Sequence, residues 1–97
     1  MKTKKISEAS LADVKQALRV DTEEDDEYLE GIMGNAVAYI VKQTGLTEEK
    51  VMDDASLYYP FLCVCQYMYD ERCYTVSKNE LNPMAKAAIY AVAENYL

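Results

Sequence analysis

The chain reads as an all-α protein, a single small domain of four to five helices, on three observations. Apolar residues recur in pairs every four positions, at Tyr28/Leu29, Ile32/Met33, Ala36/Val37 and Ile40/Val41, the spacing of a helix with one buried stripe. Helix start and stop residues punctuate the chain: Ser10 with Asp13 three positions on, Thr44 before Gly45, then Thr47, Ser56 and Asn82-Pro83. The period-two alternation of a sheet is missing; room for a short extended segment is left only in the 73–81 linker, the one long irregular connection. At 97 residues, the domain spans 1–97 and buries roughly two-thirds of the surface its unfolded form exposes.

Residues 1–8 begin with a short basic run, "KTKK" at 2–5, and are expected to form a loose N-terminal arm. The first helix is short: Ser10 caps it, Asp13 completes a capping box, Leu11, Val14 and Leu18 share a stripe, and Arg19 falls in its last turn, where a cation suits the dipole. The second helix carries the four apolar pairs and stops at Thr44, with Gly45 as the left-handed terminator. Six acids precede it within the seven residues 21–27, a placement that favours carboxylates near the unpaired N–H groups of the first turn. A calcium loop does not fit there: counted from Asp21, the sixth position is Asp26 instead of Gly and the twelfth is Ile32 instead of Glu.

Inside that helix Gly31 and Gly34 each cost about 1 kcal/mol relative to Ala. Two readings are open: a strip of small residues with Ala38 that admits another helix backbone, or a helix that simply tolerates two glycines. Thr47 caps a brief third helix closing near Asp53, and Ser56 caps a fourth with Pro60 in its first turn. In the fourth helix Leu57, Phe61, Val64, Cys65 and Met68 form one face, while Tyr59, Cys63 and Tyr67 cover the opposite one. Such a helix is expected to be buried on more than one side. A last Ala-rich helix starts at Asn82-Pro83 and runs to the end of the sequence.

The composition excludes several function classes. With 17 acids against 10 bases and a formal charge of −7, the protein is unsuited to holding DNA or RNA through phosphate neutralisation. No apolar stretch is long enough to cross a bilayer, and the start shows no signal peptide, so no membrane role is expected and the chain is expected to stay where it is made. There is no His, which removes Ser-His-Asp and Cys-His catalysis, and three Gly are too few for a phosphate-binding loop. Cys63, Cys65 and Cys73 lack zinc-knuckle spacing and read as reduced, largely apolar residues. No enzyme activity, cofactor or metal site is expected.

Residues 11–47, "LADVKQALRVDTEEDDEYLEGIMGNAVAYIVKQTGLT", resemble the opening of the small head-tail connector proteins of long-tailed bacteriophages and prophages, also described as head-completion or DNA-packaging proteins. The likeness lies in the Leu18-Arg19-Val20-Asp21 step, the acidic pair Asp25/Asp26 and the Thr44-Gly45 ending, and more weakly in the apolar helix closing on Tyr69 to Arg72. The family commonly closes with a short Leu-Leu segment and a terminal Arg, whereas this sequence ends at Tyr96 and Leu97.

The resemblance implies a structural, helical subunit of a ring of about a dozen copies with head-to-tail contacts. The ring would dock under a portal protein, meet a tail-side completion protein, and let double-stranded DNA pass without specific binding. Its place would be the virion's head-tail junction, after synthesis in the bacterial cytoplasm. Surplus apolar surface makes Tyr59, Cys63, Tyr67, Gly31, Gly34 and Tyr90 the candidate subunit interface. The candidate channel-facing acids are Asp21, Glu23, Glu24, Asp25, Asp26 and Glu27. Two other readings are an acidic helical adaptor or dimerisation module outside a virion and an acidic mimic of DNA.

Overall fold

The computed structural model describes residues 4–71, 87 and 89–91. The fold is all-α. A 3-10 turn at Ile6–Glu8 leads into α1 (Leu11–Leu18), α2 (Asp26–Thr44) and α3 (Glu48–Asp53), and a second 3-10 turn at Ala55–Leu57 runs directly into α4 (Tyr58–Asp70). Residues 87 and 89–91 are helical, within the expected last helix; the start of that helix and the 73–81 linker lie outside the described residues.

The core is the seam between α2 and α4, with α1 and α3 closing its sides. The paired apolar pattern of α2 explains how it packs. Leu29, Ile32, Ala36 and Ile40 are fully buried, and their neighbours Tyr28, Met33 and Val41 line the edges of the same stripe. From α4 the buried set is Phe61, Val64, Cys65 and Met68, spaced as one face of a helix requires. Val14 and Leu18 of α1, Val51 of α3, Leu57 before α4 and Ile89 complete the core. Each large side chain removed from water contributes about 1.5–3 kcal/mol.

Helix ends are set by local chemistry. Ser10 Oγ accepts the Asp13 N–H and the Asp13 carboxylate accepts the Ser10 N–H, both at 3.1 Å, completing the expected box. α1 stops one residue sooner than expected. Arg19 is not in the last turn but beyond it, left-handed at φ 60°, while the Val20 N–H reaches back to the Lys15 carbonyl at 2.8 Å and the Arg19 N–H to Gln16 at 3.2 Å. That pair of bonds is a Schellman motif built on a residue other than glycine.

α2 ends as expected, with Gly45 at φ 73° and its N–H on the Val41 carbonyl. Thr44 is the buried polar residue of this end: its hydroxyl donates to the Ile40 carbonyl at 2.8 Å and accepts the Leu46 N–H at 3.2 Å. Thr47 caps α3, as expected. Ser56 does not cap α4; the Asp54 carboxylate instead accepts the Ser56 N–H and hydroxyl, capping the 3-10 turn that feeds the helix. Pro60 falls in the first turn of α4, where its missing N–H breaks no bond.

The expected loose arm is overturned for residues 4–8. Ile6 is only 3% exposed and joins the core, and the two residues before it make ion pairs, Lys4 to Asp13 at 2.8 Å and Lys5 to Asp53 at 3.0 Å. The charged pattern of the segment concealed a single apolar anchor.

Two predictions follow from these ends. Gly34 is exposed and a Cβ there meets nothing within 4 Å, so Gly34→Ala should raise stability by about 1 kcal/mol, a Tm gain of about 4–8 °C; Gly45→Ala, forced to positive φ, should lower it. Thermal melts of both variants check this. The second concerns pH. Bonds to Lys4 and then Ser10 hold the Asp13 carboxyl below its usual 3.8, so this contribution is present above pH 3.8 and is lost as pH falls through the folded-state value.

Bonds to Asp13 and Asp53 raise Lys4 and Lys5 above 10.5, so theirs is present below pH 10.5 and lost as pH rises through the folded-state values. Amide exchange at residues 5–13 should therefore be most protected at intermediate pH and should quicken at both extremes. Asp13→Asn should remove the acid-side change.

Candidate functional site

Three surface regions hold the residues singled out from the sequence. The first is the acidic run before α2, which the fold divides. Asp25 is half-buried and its Oδ2 accepts the Tyr69 hydroxyl at 2.8 Å, joining the start of α2 to the end of α4. Tyr28 reinforces that joint, with its ring 6.5 Å from the Tyr69 ring. Asp26 pairs with Lys15 of α1 at 2.7 Å, and the Lys15 side chain is only 17% exposed.

Asp21, Glu23, Glu24 and Glu27 are exposed. The six acids are thus not one class: two carboxylates are engaged within the chain and four point into solvent. Sequence reasoning missed the role of Tyr69, because its partner lies 44 residues away.

The second region is the outer face of α4. Residues 58–69 carry no charged side chain. The inner half of the helix is buried on α2, but Tyr59 leaves 51% of its surface in solvent, and Cys63, Gln66 and Tyr67 are half-buried beside it. A hydrogen bond with the Cys63 thiol raises the Tyr59 hydroxyl above its usual pKa. Tyr90 is 50% exposed, so the large apolar residues left most open among the described ones are both tyrosines. Cys65, one turn of chain from this face, is fully buried; desolvation pushes its thiol to about 12 and leaves it unreactive. Cys73 lies outside the described residues.

The third region is the small-residue side of α2. Gly31 is half-buried, while Gly34 and Ala38 are exposed. No described helix uses the close approach that Gly34 permits. Beside it lies an open groove of about 200 Å³ between the N-terminal turn, α2 and α3, floored by Met33, Val37, Met52 and Phe61.

Among the described residues no group of three or more His, Cys, Asp or Glu could hold a metal ion, and no helix is long and apolar enough to cross a membrane. The Asp25–Tyr69 bond is the testable part of this geometry. Tyr69→Phe should cost about 1–2 kcal/mol and Asp25→Asn a similar amount, with the double variant losing less than the sum in urea unfolding.

No curated protein and no solved structure matched the chain. A protein-family profile did, over residues 8–95, nearly the whole sequence and all of α1 to α4; its description is Phage gp6-like head-tail connector protein. This is a structural family of the phage particle, in keeping with an all-α fold that shows an uncharged, partly open helix face on an acidic body. The chain belongs to the phage gp6-like head-tail connector proteins.

Proposed function

We propose that the protein is the repeating subunit of a connector ring that docks beneath the portal at the head-tail junction of the virion and lets double-stranded DNA pass during packaging and ejection. Its partners are further copies of itself, the portal protein and a tail-side completion protein. The observation that carries this reading is the outer face of α4 within a connector-family chain: Tyr59, Cys63 and Tyr67 form an uncharged face on a protein of net charge −7. Uncharged, aromatic-rich surface of this kind is what the centre of a contact between chains is made of. Tyr90, Gly31 and Gly34 extend the proposed contact surface.

The charge supports the second half of the reading. A wall that held phosphates through Lys and Arg would bind the genome and slow it, whereas excess carboxylate repels it. Asp21, Glu23, Glu24 and Glu27 are the acids free to line such a channel; Asp25 and Asp26 are assigned instead to holding α2 against α4 and α1.

Electron microscopy of the protein mixed with its portal tests the proposal. The expected result is a ring of this chain on the portal's tail-facing end. A chain that stays monomeric at high concentration and with portal present would overturn it. Replacing Glu23 and Glu24 with Lys should leave the fold intact and give the assembled ring a salt-sensitive affinity for duplex DNA that the native ring lacks, read by filter binding at two salt concentrations.

A further inference from the structure

Residues 4–9 are held differently from the four helices. Their hydrogen bonds close among themselves: the Lys5 N–H donates to the Glu8 carboxylate at 2.9 Å, the Glu8 N–H to the Lys5 carbonyl at 3.0 Å and the Ala9 N–H to the Ile6 carbonyl at 2.9 Å. Among the described residues no backbone–backbone hydrogen bond joins this segment to a helix. It is fastened by one buried side chain, Ile6, and by two ion pairs, Lys4 to Asp13 of α1 and Lys5 to Asp53 of α3, whose four side chains are all partly exposed. Ion pairs so placed are weak and are weakened further by salt.

Two hollows meet at the segment. The groove of about 200 Å³ floored by Met33, Val37, Met52 and Phe61 has Ile6, Ser7 and Ala9 as a wall. A wider, open hollow of about 660 Å³ runs along α3 past Thr47, Lys50 and Asp53. Ser7 and Met52 line both, so the turn is the partition between them.

The helices do not need the turn to stay in place. The Asp13 carboxylate that accepts Lys4 also accepts the Ser10 N–H, and the Ser10 hydroxyl accepts the Asp13 N–H, so α1 keeps its cap without residues 4–9. The α2–α4 seam is packed from its own two helices. Ala9 and Ser10, both with extended backbone, form the joint between the turn and α1.

We infer that residues 4–9 are a detachable strap, which lifts as a unit about Ala9 and Ser10 while α1 to α4 stay folded. Lifting withdraws Ile6 from the core and joins the two hollows into one trough along α2 and α3. Ionic strength sets how often this happens, because two of the three fastenings are exposed ion pairs. The strap carries Lys4 and Lys5 with Glu8, while Asp13 of α1 and Glu48, Glu49 and Asp53 of α3, with Lys50 as the opposing cation, stand around it. Screening therefore acts on a net attraction. The motion is a property of the single chain and is independent of ring assembly.

Residue-resolved thiol labelling, read by mass spectrometry, tests the strap. In Ile6→Cys the new thiol reports release of the turn, and native Cys65, fully buried in the seam, reports opening of the whole fold. The thiol at position 6 should react about 100-fold faster than Cys65. Its rate should rise several-fold when NaCl goes from about 0.1 M to about 1 M, which shortens the screening length from about 10 Å to about 3 Å, while Cys65 keeps its rate. Adding Lys4→Ala and Lys5→Ala should give the high-salt rate at both concentrations, with circular dichroism unchanged.

Because Ile6→Cys trims the apolar anchor, the native chain is measured alongside with trypsin. Cleavage after Lys5, taken relative to a free peptide of residues 1–12, should quicken with salt while Lys15 inside α1 stays uncut. Equal labelling at position 6 and Cys65, with cleavage after Lys5 no sooner than after Lys15, overturns the strap, since the turn then leaves only with the whole fold. Labelling at position 6 that ignores both salt and the Lys substitutions overturns its control by ionic strength.

Discussion

The structure depends on one constraint: α4 is apolar around most of its circumference, yet α2 can cover only one side of it. Phe61, Val64, Cys65 and Met68 sink into the seam with Leu29, Ile32, Ala36 and Ile40, and this seam is the core. The two helices run antiparallel, since Tyr28 and Asp25 at the start of α2 meet Tyr69 at the end of α4, while Val37 and Phe61 share the groove further along. Once the inner half of α4 is satisfied in this way, α1, α3 and the N-terminal turn are used to close the edges of the seam. The outer half of α4 retains Tyr59 in solvent and Cys63 and Tyr67 partly so.

Polar interactions are concentrated where the seam ends. The Asp25–Tyr69 bond and the Lys15–Asp26 pair tie the start of α2 to α4 and α1, beside the Tyr28 hydroxyl, which donates to the Met68 carbonyl at 3.5 Å. At the opposite end the Thr44 hydroxyl donates to the Ile40 carbonyl and accepts the Leu46 N–H, so a buried hydroxyl is tolerated where an unpartnered one would cost about 1–3 kcal/mol. The acidic pair that resembles a family signature is thus part of the scaffold, and only its neighbours Asp21, Glu23, Glu24 and Glu27 stand exposed.

Charge and apolar surface divide the remaining work. A net charge of −7 opposes non-specific association and any grip on phosphates. Residues 58–69 carry no charge, and the groove at Gly34 is lined mainly by apolar side chains with Glu48 at its border. In a connector-family protein the acidic body and the uncharged α4 face are thus separate surfaces of one small domain.

The sequence by itself determined the helices and most of their ends, because these are set by residues within four positions of one another: the α2 pairs, the Ser10–Asp13 box, the Thr47 cap and the Gly45 stop all stand where the pattern puts them. It also displayed the two faces of α4, since helical spacing alone separates Tyr59 from Phe61. Only the tertiary structure decided what each face meets. Asp25 and Asp26 look the same as Glu23 and Glu24 in the sequence, and differ because Tyr69 and Lys15 are brought to them by packing.

Ile6 is a lone apolar residue in a charged segment until α3 and the core provide its pocket, and Arg19 becomes left-handed because α1 must turn there to let α2 begin. The empty space beside Gly34 likewise appears only once the chain is folded. Local periodicity carries no information about partners 40 or more residues away, such as Tyr28 and Met68, and these long-range partners separate the structural residues from those left for assembly.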